Sequence, residues 1–265
     1  MKRILWCVLC IAAVMLGACI AGCTGSEAAP ADGQATVEER PLYIVGVDGE
    51  YPPYTYIDKE GKFHGLDVDS IRWIAEKKGF DVEIQAIAWD GIIPALNAGK
   101  IDMVYSGMTI TDERKEKVSF SIPYMIINQS FAVHDESEVT LDDIMAGNAV
   151  IGAQRGTTGA FWVEENLVET GLMPEENLKL YDNFPLVVTD LGNKRIDASI
   201  YDRPPHMKAI EGKPLHIIGE IYTGEEYGVA IRKEDTALLA TINDGLTMLM
   251  NDPYWDELLV QYEMN

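Results

Sequence analysis

From residue 42 onward, short β-rich runs alternate with segments of helical periodicity, and this alternation limits the possible folds more than any other feature of the chain. Residues 42–47 (Leu-Tyr-Ile-Val-Gly-Val) read as a strand. Residues 66–78 carry Val68, Ile71, Ile74 and Ala75 at helical spacing, with Asp67 as the expected N-cap and Gly79 as the stop. Residues 82–84 alternate as a strand, 90–98 read as a helix stopped by Gly99, and 101–105 read as another strand. A second series follows: strands at 149–153, 178–181 and 198–201, helices at 159–170 and 184–193. The end differs, with a strand at 228–232 and then helices at 236–250 and 253–262. Such alternation implies mainly parallel sheets with helices on both faces, and two series divided near residue 127 imply two α/β lobes.

The N-terminus points outside the cytoplasm. Lys2 and Arg3 precede an uncharged apolar run, residues 4–20, that is short for a membrane span and leads into small residues, the layout of a signal peptide. Leu16-Gly17-Ala18-Cys19 and Ile20-Ala21-Gly22-Cys23 both resemble the lipobox of secreted lipoproteins. Cys23 is favoured over Cys19 as the lipidated residue, because its tetrapeptide is the closer match and polar Thr24-Gly25-Ser26 follows. Residues 1–23 are thus expected as a lipoprotein signal, with an uncleaved membrane anchor as the alternative. Residues 24–41, rich in Ala, Gly, Glu and Thr, are expected as a flexible tether.

All four cysteines (Cys7, Cys10, Cys19, Cys23) fall in the signal segment, so the exported domain is expected to hold no disulfide and no thiolate metal site. It must rely on its core, and with 47 % hydrophobic residues the chain can build one. Removal of residues 1–22 leaves 19 basic against 43 acidic residues, a net charge of about −24. That charge excludes nucleic acid as a partner and argues against electrostatic docking on anionic lipid. Solubility, or adaptation to a salty medium, accounts for it better than steering of a ligand.

In open α/β sheets, ligands bind beyond the carboxyl ends of the strands. After the first strand comes Asp48-Gly49-Glu50-Tyr51-Pro52-Pro53-Tyr54, in which the prolines stiffen a loop presenting Tyr51 and Tyr54. After the 101–105 strand, the segment from Ser106 to Arg114 brings hydroxyls, a glycine backbone and an arginine together. A planar, permanently charged guanidinium suits two-point recognition of a carboxylate. Gln154-Arg155-Gly156-Thr157-Thr158-Gly159 opens a helix and offers N–H groups and hydroxyls to an anion. Asp202, after the 198–201 strand, suits an ammonium. Carboxylate clamp, ammonium acceptor and aromatic walls together complement an α-amino acid. Singly, each has a plainer explanation: Arg114 as a solvated charge, Thr157-Thr158 as helix capping, Asp202 as a turn former. Asp67 and Asp69 resemble a paired-carboxylate site, but a helix start explains them better. The four histidines (His64, His134, His206, His216) show no metal spacing, and the chain carries no Gly-x-Ser-x-Gly elbow or phosphate loop. No metal, cofactor or catalytic residue is expected.

These segments carry a resemblance. Val47-Asp48 with Tyr51-Pro52-Pro53-Tyr54, Gly65-Leu66-Asp67-Val68-Asp69, Trp89-Asp90-Gly91-Ile92-Ile93-Pro94-Ala95-Leu96, Gly99-Lys100-Ile101-Asp102, the Ser106–Arg114 segment, Phe120-Ser121-Ile122-Pro123-Tyr124, Gly156-Thr157-Thr158-Gly159 and Tyr227-Gly228-Val229-Ala230-Ile231-Arg232-Lys233 occur in order. Over about residues 42–264 the chain resembles the extracellular solute-binding proteins of family 3, the polar amino acid receptors of ABC importers. The resemblance implies a two-lobed periplasmic binding protein fold, type II, with two mainly parallel sheets, flanking helices and two hinge strands. Lobe 1 is expected at 42–127 and 228–265 and lobe 2 at 128–227, with crossovers near Asn128 and near 225–227. It further implies a carboxylate clamp at Arg114 with donors from Thr109, Gly107 and Thr157, and an ammonium site at Asp202 helped by Ser106 and Gly107. Aromatic walls fall on Tyr51 and Trp89, and Asp48 and Gln154 face the ligand's side chain.

An acid facing that side chain disfavours Glu or Asp and suits a donor, as in arginine, lysine, histidine or glutamine. The implied partners are one free amino acid and an importer permease with its ATPase, for a monomer tethered by lipid on the outer side of the membrane. Two other readings stand beside this one: an exported enzyme resembling cyclohexadienyl or arogenate dehydratases, and a ligand-sensing domain for a separate signalling partner.

Overall fold

The computed structural model describes residues 40–264; the expected signal segment, its Cys23 and the tether up to residue 39 lie outside the described residues. Strand β1 (Leu42–Val47) is followed by a small sheet of β2 (Glu50–Tyr51), β3 (Thr55–Ile57) and β4 (Phe63–His64). Helix α1 (Leu66–Lys78), β5 (Asp81–Ala86), α2 (Ile92–Asn97), β6 (Met103–Val104), α3 (Asp112–Lys117) and β7 (Ser119–Phe120) come next. The long strand β8 (Met125–His134) leads to α4 (Leu141–Met145), β9 (Ile151–Gln154), α5 (Thr158–Val163), β10 (Leu178–Tyr181) and α6 (Phe184–Gly192). Then follow β11 (Ala198–Asp202), α7 (Arg203–Ile210), the long β12 (Leu215–Tyr227), β13 (Ala230–Ile231), α8 (Thr236–Met250) and α9 (Pro253–Gln261).

Two five-stranded sheets organise these elements, in the orders β5-β1-β6-β13-β7 and β10-β9-β11-β8-β12. Each is mixed. Pairs joined through helices are parallel, namely β5–β1–β6 and β10–β9–β11. The strands that connect the two sheets enter in the opposite sense, so β13 pairs antiparallel with β6 and β7, and β8 antiparallel with β11 and β12. The physical reason is that a parallel pair requires a crossover helix, whereas strands entering from a neighbouring sheet carry none. Strands β8 and β12 run as one ribbon from Met125↔Tyr227 to His134↔Leu215, with a register shift between Ile221 and Glu225. At the shift the Gly224 N–H donates to the side-chain oxygen of Asn128 at 3.1 Å.

Burial fixes the register. Helix α1 turns Leu66, Val68, Ile71, Ile74 and Ala75 inward, and α8 turns Leu238, Ile242, Leu246 and Leu249 inward. A fully buried aliphatic side chain of this size contributes roughly 1.5–3 kcal/mol. Three details differ from the sequence expectation. The helix expected at 159–170 is α-helical only to Val163 and widens to π geometry over Glu164–Val168 while keeping Leu167 buried. The strands expected at 101–105 and 228–232 pair only over Met103–Val104 and Ala230–Ile231. Asp67 does not cap α1: Gly65 holds the cap position, and the Asp67 side chain is completely buried.

Candidate functional site

Asp48 follows the last residue of β1, and its loop is laced to the loop after β6. The Asp48 N–H donates to Ser106 Oγ at 3.0 Å, and the Thr55 hydroxyl donates to the Asp48 carbonyl at 2.6 Å. Thr55 and Ser106 hydroxyls lie 2.8 Å apart. Gly107 sits in the left-handed region at φ 55°, and a Cβ there would stand 2.5 Å from the Tyr51 ring. Only glycine lets this turn press against Tyr51.

Arg114 is placed by a cap. Thr111 caps α3 by accepting from the Arg114 N–H at 3.2 Å, which turns the guanidinium inward to 6 % exposure. Its N–H groups donate to the Thr109 carbonyl at 2.9 Å and the Gly156 carbonyl at 3.0 Å, and its Cζ lies 5.5 Å from the centre of the Trp89 ring. The Trp89 indole N–H donates to the same Gly156 carbonyl at 3.0 Å. Burial pulls the guanidinium below its usual range, opposed by the charges of Asp202 and Glu225.

From the second sheet, Gln154 ends β9 and Asp202 ends β11. The Gln154 side chain donates to Asp48 Oδ2 at 3.1 Å and accepts from the Tyr201 hydroxyl at 2.8 Å. Asp48 stands above the usual carboxylate range, chiefly because it is desolvated. The charge of Asp48 and burial also raise neighbouring Glu50, burial being the larger cause. Asp202 accepts from the hydroxyls of Tyr51 and Tyr227, the latter at 2.6 Å, and from the amide of Gln129. Burial pushes Asp202 up to about 6, with the nearby charge of Glu225 adding to the rise.

All ten residues singled out in the sequence, Asp48, Tyr51, Trp89, Ser106, Gly107, Thr109, Arg114, Gln154, Thr157 and Asp202, line one cavity. Thr158 and Tyr201 line it as well. Both adjoin expected residues, so only their inward direction was hidden. Gln129, Glu225 and Tyr227, which surround Asp202, were not singled out as site residues. Gln129 is fully buried but sits between polar Asn128 and Ser130 in β8, so the sequence pattern does not mark it.

At each of the three expected donor positions the structure already engages one proton within the protein. The Thr109 hydroxyl donates to Glu225 at 2.8 Å, the Gly107 N–H donates to Asp67 at 2.7 Å, and the Thr157 hydroxyl donates to the Gln154 carbonyl at 2.8 Å. Thr157 also caps α5 by accepting from the Ala160 N–H at 3.2 Å. Tyr51 is more than a wall, since its hydroxyl serves the acid site.

The sequence profile of the bacterial extracellular solute-binding proteins, family 3, matches residues 43–265. The chain is 31 % identical over 269 residues to a probable histidine-binding protein of Neisseria gonorrhoeae, covering 99 % of this chain and 96 % of that protein. It is also 31 % identical over 244 residues to the L-cystine-binding protein TcyJ of Escherichia coli K12, covering 90 % of this chain and 89 % of that one. Among solved structures, an ancestral arginine-binding protein bound to arginine superposes with a TM-score of 0.76 at 34 % identity, covering 84 % of this chain and 98 % of that one. These neighbours share its two-lobed periplasmic binding protein architecture.

Proposed function

Since the chain belongs to family 3 of the bacterial extracellular solute-binding proteins, we propose that it closes two lobes around one free polar or basic L-amino acid and delivers it to the permease of an ABC importer. The observation that carries this reading is the presence of opposite charges in one cavity, with Arg114 in α3 and Asp202 at the end of β11 buried to 6 % and 7 % exposure. A zwitterion complements both groups at once. Arg114 clamps the α-carboxylate, as a guanidinium with five N–H donors retains capacity beyond its two carbonyl partners. Asp202 receives the α-ammonium, which replaces the tyrosine protons as its source of positive charge.

The lobes comprise residues 42–127 with 228–265 and residues 128–227, hinged where β8 and β12 cross near Asn128 and 225–227. Ligand contacts from both lobes favour the closed state, so binding and closure are one equilibrium. Asp48, held by Gln154 and raised by burial, faces the ligand side chain. A second carboxylate there repels acidic ligands and accepts from guanidinium, imidazole, ammonium or amide groups. Relatives described as binding histidine, and a neighbour described as bound to arginine, support this class. No catalytic step is assigned, a reading supported by relatives and neighbours described as amino acid-binding proteins. The signal-like composition of residues 1–23 supports a domain outside the cytoplasm, tethered through lipidated Cys23.

A thermal-shift screen of the exported domain against the twenty L-amino acids tests the reading. Ligand at a hundred times its Kd stabilises the native state by about 2.7 kcal/mol. Stabilisation by one or a few polar or basic amino acids is expected; no shift with any of them would falsify the proposal.

A further inference from the structure

Glu225 lies where β12 leaves the second sheet, and its carboxylate gathers donors from both sides of the cavity. Thr109, from the loop after β6, donates to its Oε2 at 2.8 Å, and Thr158, at the start of α5, donates to the same oxygen at 2.5 Å. Its Oε1 accepts from the Gln129 amide at 3.0 Å. The same amide nitrogen donates to Asp202 and lies 3.3 Å from Thr158 Oγ1. The direction of these bonds is fixed by chemistry. A carboxylate only accepts, so each threonine must give it its single proton, and the Gln129 NH₂ rather than its oxygen must face two carboxylates.

A hydroxyl whose proton is committed keeps only acceptor capacity. Thr109 and Thr158 both line the cavity, so Glu225 converts two nominally ambivalent hydroxyls into acceptors flanking Asp202. We infer that Glu225 is a positioning residue that sets the hydrogen-bond polarity of the ammonium end of the site, making Thr109 and Thr158 accept from an α-ammonium and withholding them from a carboxylate. This rests on the amino acid reading above. Among the described residues Glu225 and Asp202 hydrogen-bond to no cation, only to hydroxyls and the neutral Gln129 bridge, and Arg114 acts on them through space, so a bound ammonium adds a positive charge at the acids themselves. The site then excludes acids that lack an α-amino group, even when their carboxylate and side chain fit.

The test compares an amino acid with the same acid lacking its α-amino group, by calorimetric titration of the exported domain. The amino acid is the strongest binder of the twenty, and the analogue follows from it: 5-guanidinopentanoate for arginine, 3-(imidazolyl)propanoate for histidine, 6-aminohexanoate for lysine. Glu225→Gln keeps the shape but lets an amide N–H face the threonines and reverse their protons. The variant is expected to lose roughly ten- to hundredfold in affinity for the amino acid, the scale of one hydrogen bond to a charged group. Its affinity for the desamino analogue is expected to stay the same or rise. A merely structural role would lower both affinities by the same factor, and that result overturns the inference, as does a variant in which neither changes. Should Glu225→Gln not fold, Thr158→Val removes one acceptor at constant shape and must show the same selective loss. Wild-type protein that binds no amino acid at all refutes the amino acid reading, and is recognised before any variant is made. Wild-type protein that binds amino acid and desamino analogue equally leaves that reading intact in its carboxylate half and refutes the role of Glu225.

Discussion

In the proposed reading, Arg114 and Asp48 divide recognition between them. Arg114 holds two backbone carbonyls and packs beside Trp89, so its guanidinium is oriented before any ligand arrives. Arg114→Ala is expected to weaken binding of every amino acid on the order of a thousandfold, since two charge-assisted hydrogen bonds disappear together. Asp48→Ala is expected to change chiefly which amino acid is preferred, narrowing the gap between basic and acidic ligands. Titration of both variants against arginine, glutamine and glutamate checks this, and normal binding by Arg114→Ala would show that the carboxylate lies elsewhere. At this scale the sequence was legible for residue types with one chemical use: a guanidinium or a strand-end acid announces its partner. Hydroxyls and backbone N–H groups were less so. Where the Thr109 and Thr157 hydroxyls and the Gly107 N–H point depends on Glu225, the Gln154 carbonyl and Asp67, which are distant or neutral in the sequence pattern.

Helix α1 reaches the site through Asp67. Its Oδ2 accepts from the Gly107 N–H at 2.7 Å and from the Tyr124 hydroxyl at 2.9 Å, tying the helix to the turn beneath Tyr51 and to the segment before β8. Its Oδ1 and the Tyr54 hydroxyl have no hydrogen-bond partner among the described residues. Full burial pushes Asp67 up to about 8 from 3.8, so the folded protein binds a proton that the unfolded chain releases at lower pH. Stability from this group is therefore present below pH 4 and declines as pH rises toward 8, at up to about 1.4 kcal/mol per pH unit. His206 acts oppositely but lower, since burial takes it from 6.5 to about 3 and its stability contribution grows only up to pH 6.5. Between pH 6.5 and 8 the Asp67 trend stands clear of it. Urea denaturation of the ligand-free domain is expected to show falling stability across that interval and a flat profile for Asp67→Asn. An unchanged slope in the variant would move the titrating group elsewhere. Asp67 was expected as a helix cap because Asp near a helix start commonly is one; no periodicity reveals that the second residue of a helix faces a buried turn.

Across the whole molecule the cavity is shared by the two sheets, and the bonds that cross it link them directly: Gln154 to Asp48, Tyr51 to Asp202, Trp89 and Arg114 to the Gly156 carbonyl. Under the proposed function, a ligand that joins this set draws the lobes together. Small-angle scattering is expected to show a smaller radius of gyration on addition of the bound amino acid, and an unchanged radius would separate binding from closure. The alternation of strands and helices made the two α/β series readable, because period 2 and period 3.6 differ strongly. The mixed character of the sheets was not readable, since pairing direction depends on where the connecting strands enter.

The position of β13 also orders events in time. The second sheet is drawn wholly from residues 125–227, so every strand it needs has been synthesised before β13 exists. The first sheet is different: β7, made early, pairs only through β13, which fills the place between β6 and β7 from the far end of the chain. As the chain emerges, one half can finish while the other waits, with an unfilled slot in its middle, for its last forty residues or so. A C-terminal truncation that removes β13 and the helices after it therefore strands the earlier-made half rather than the later one.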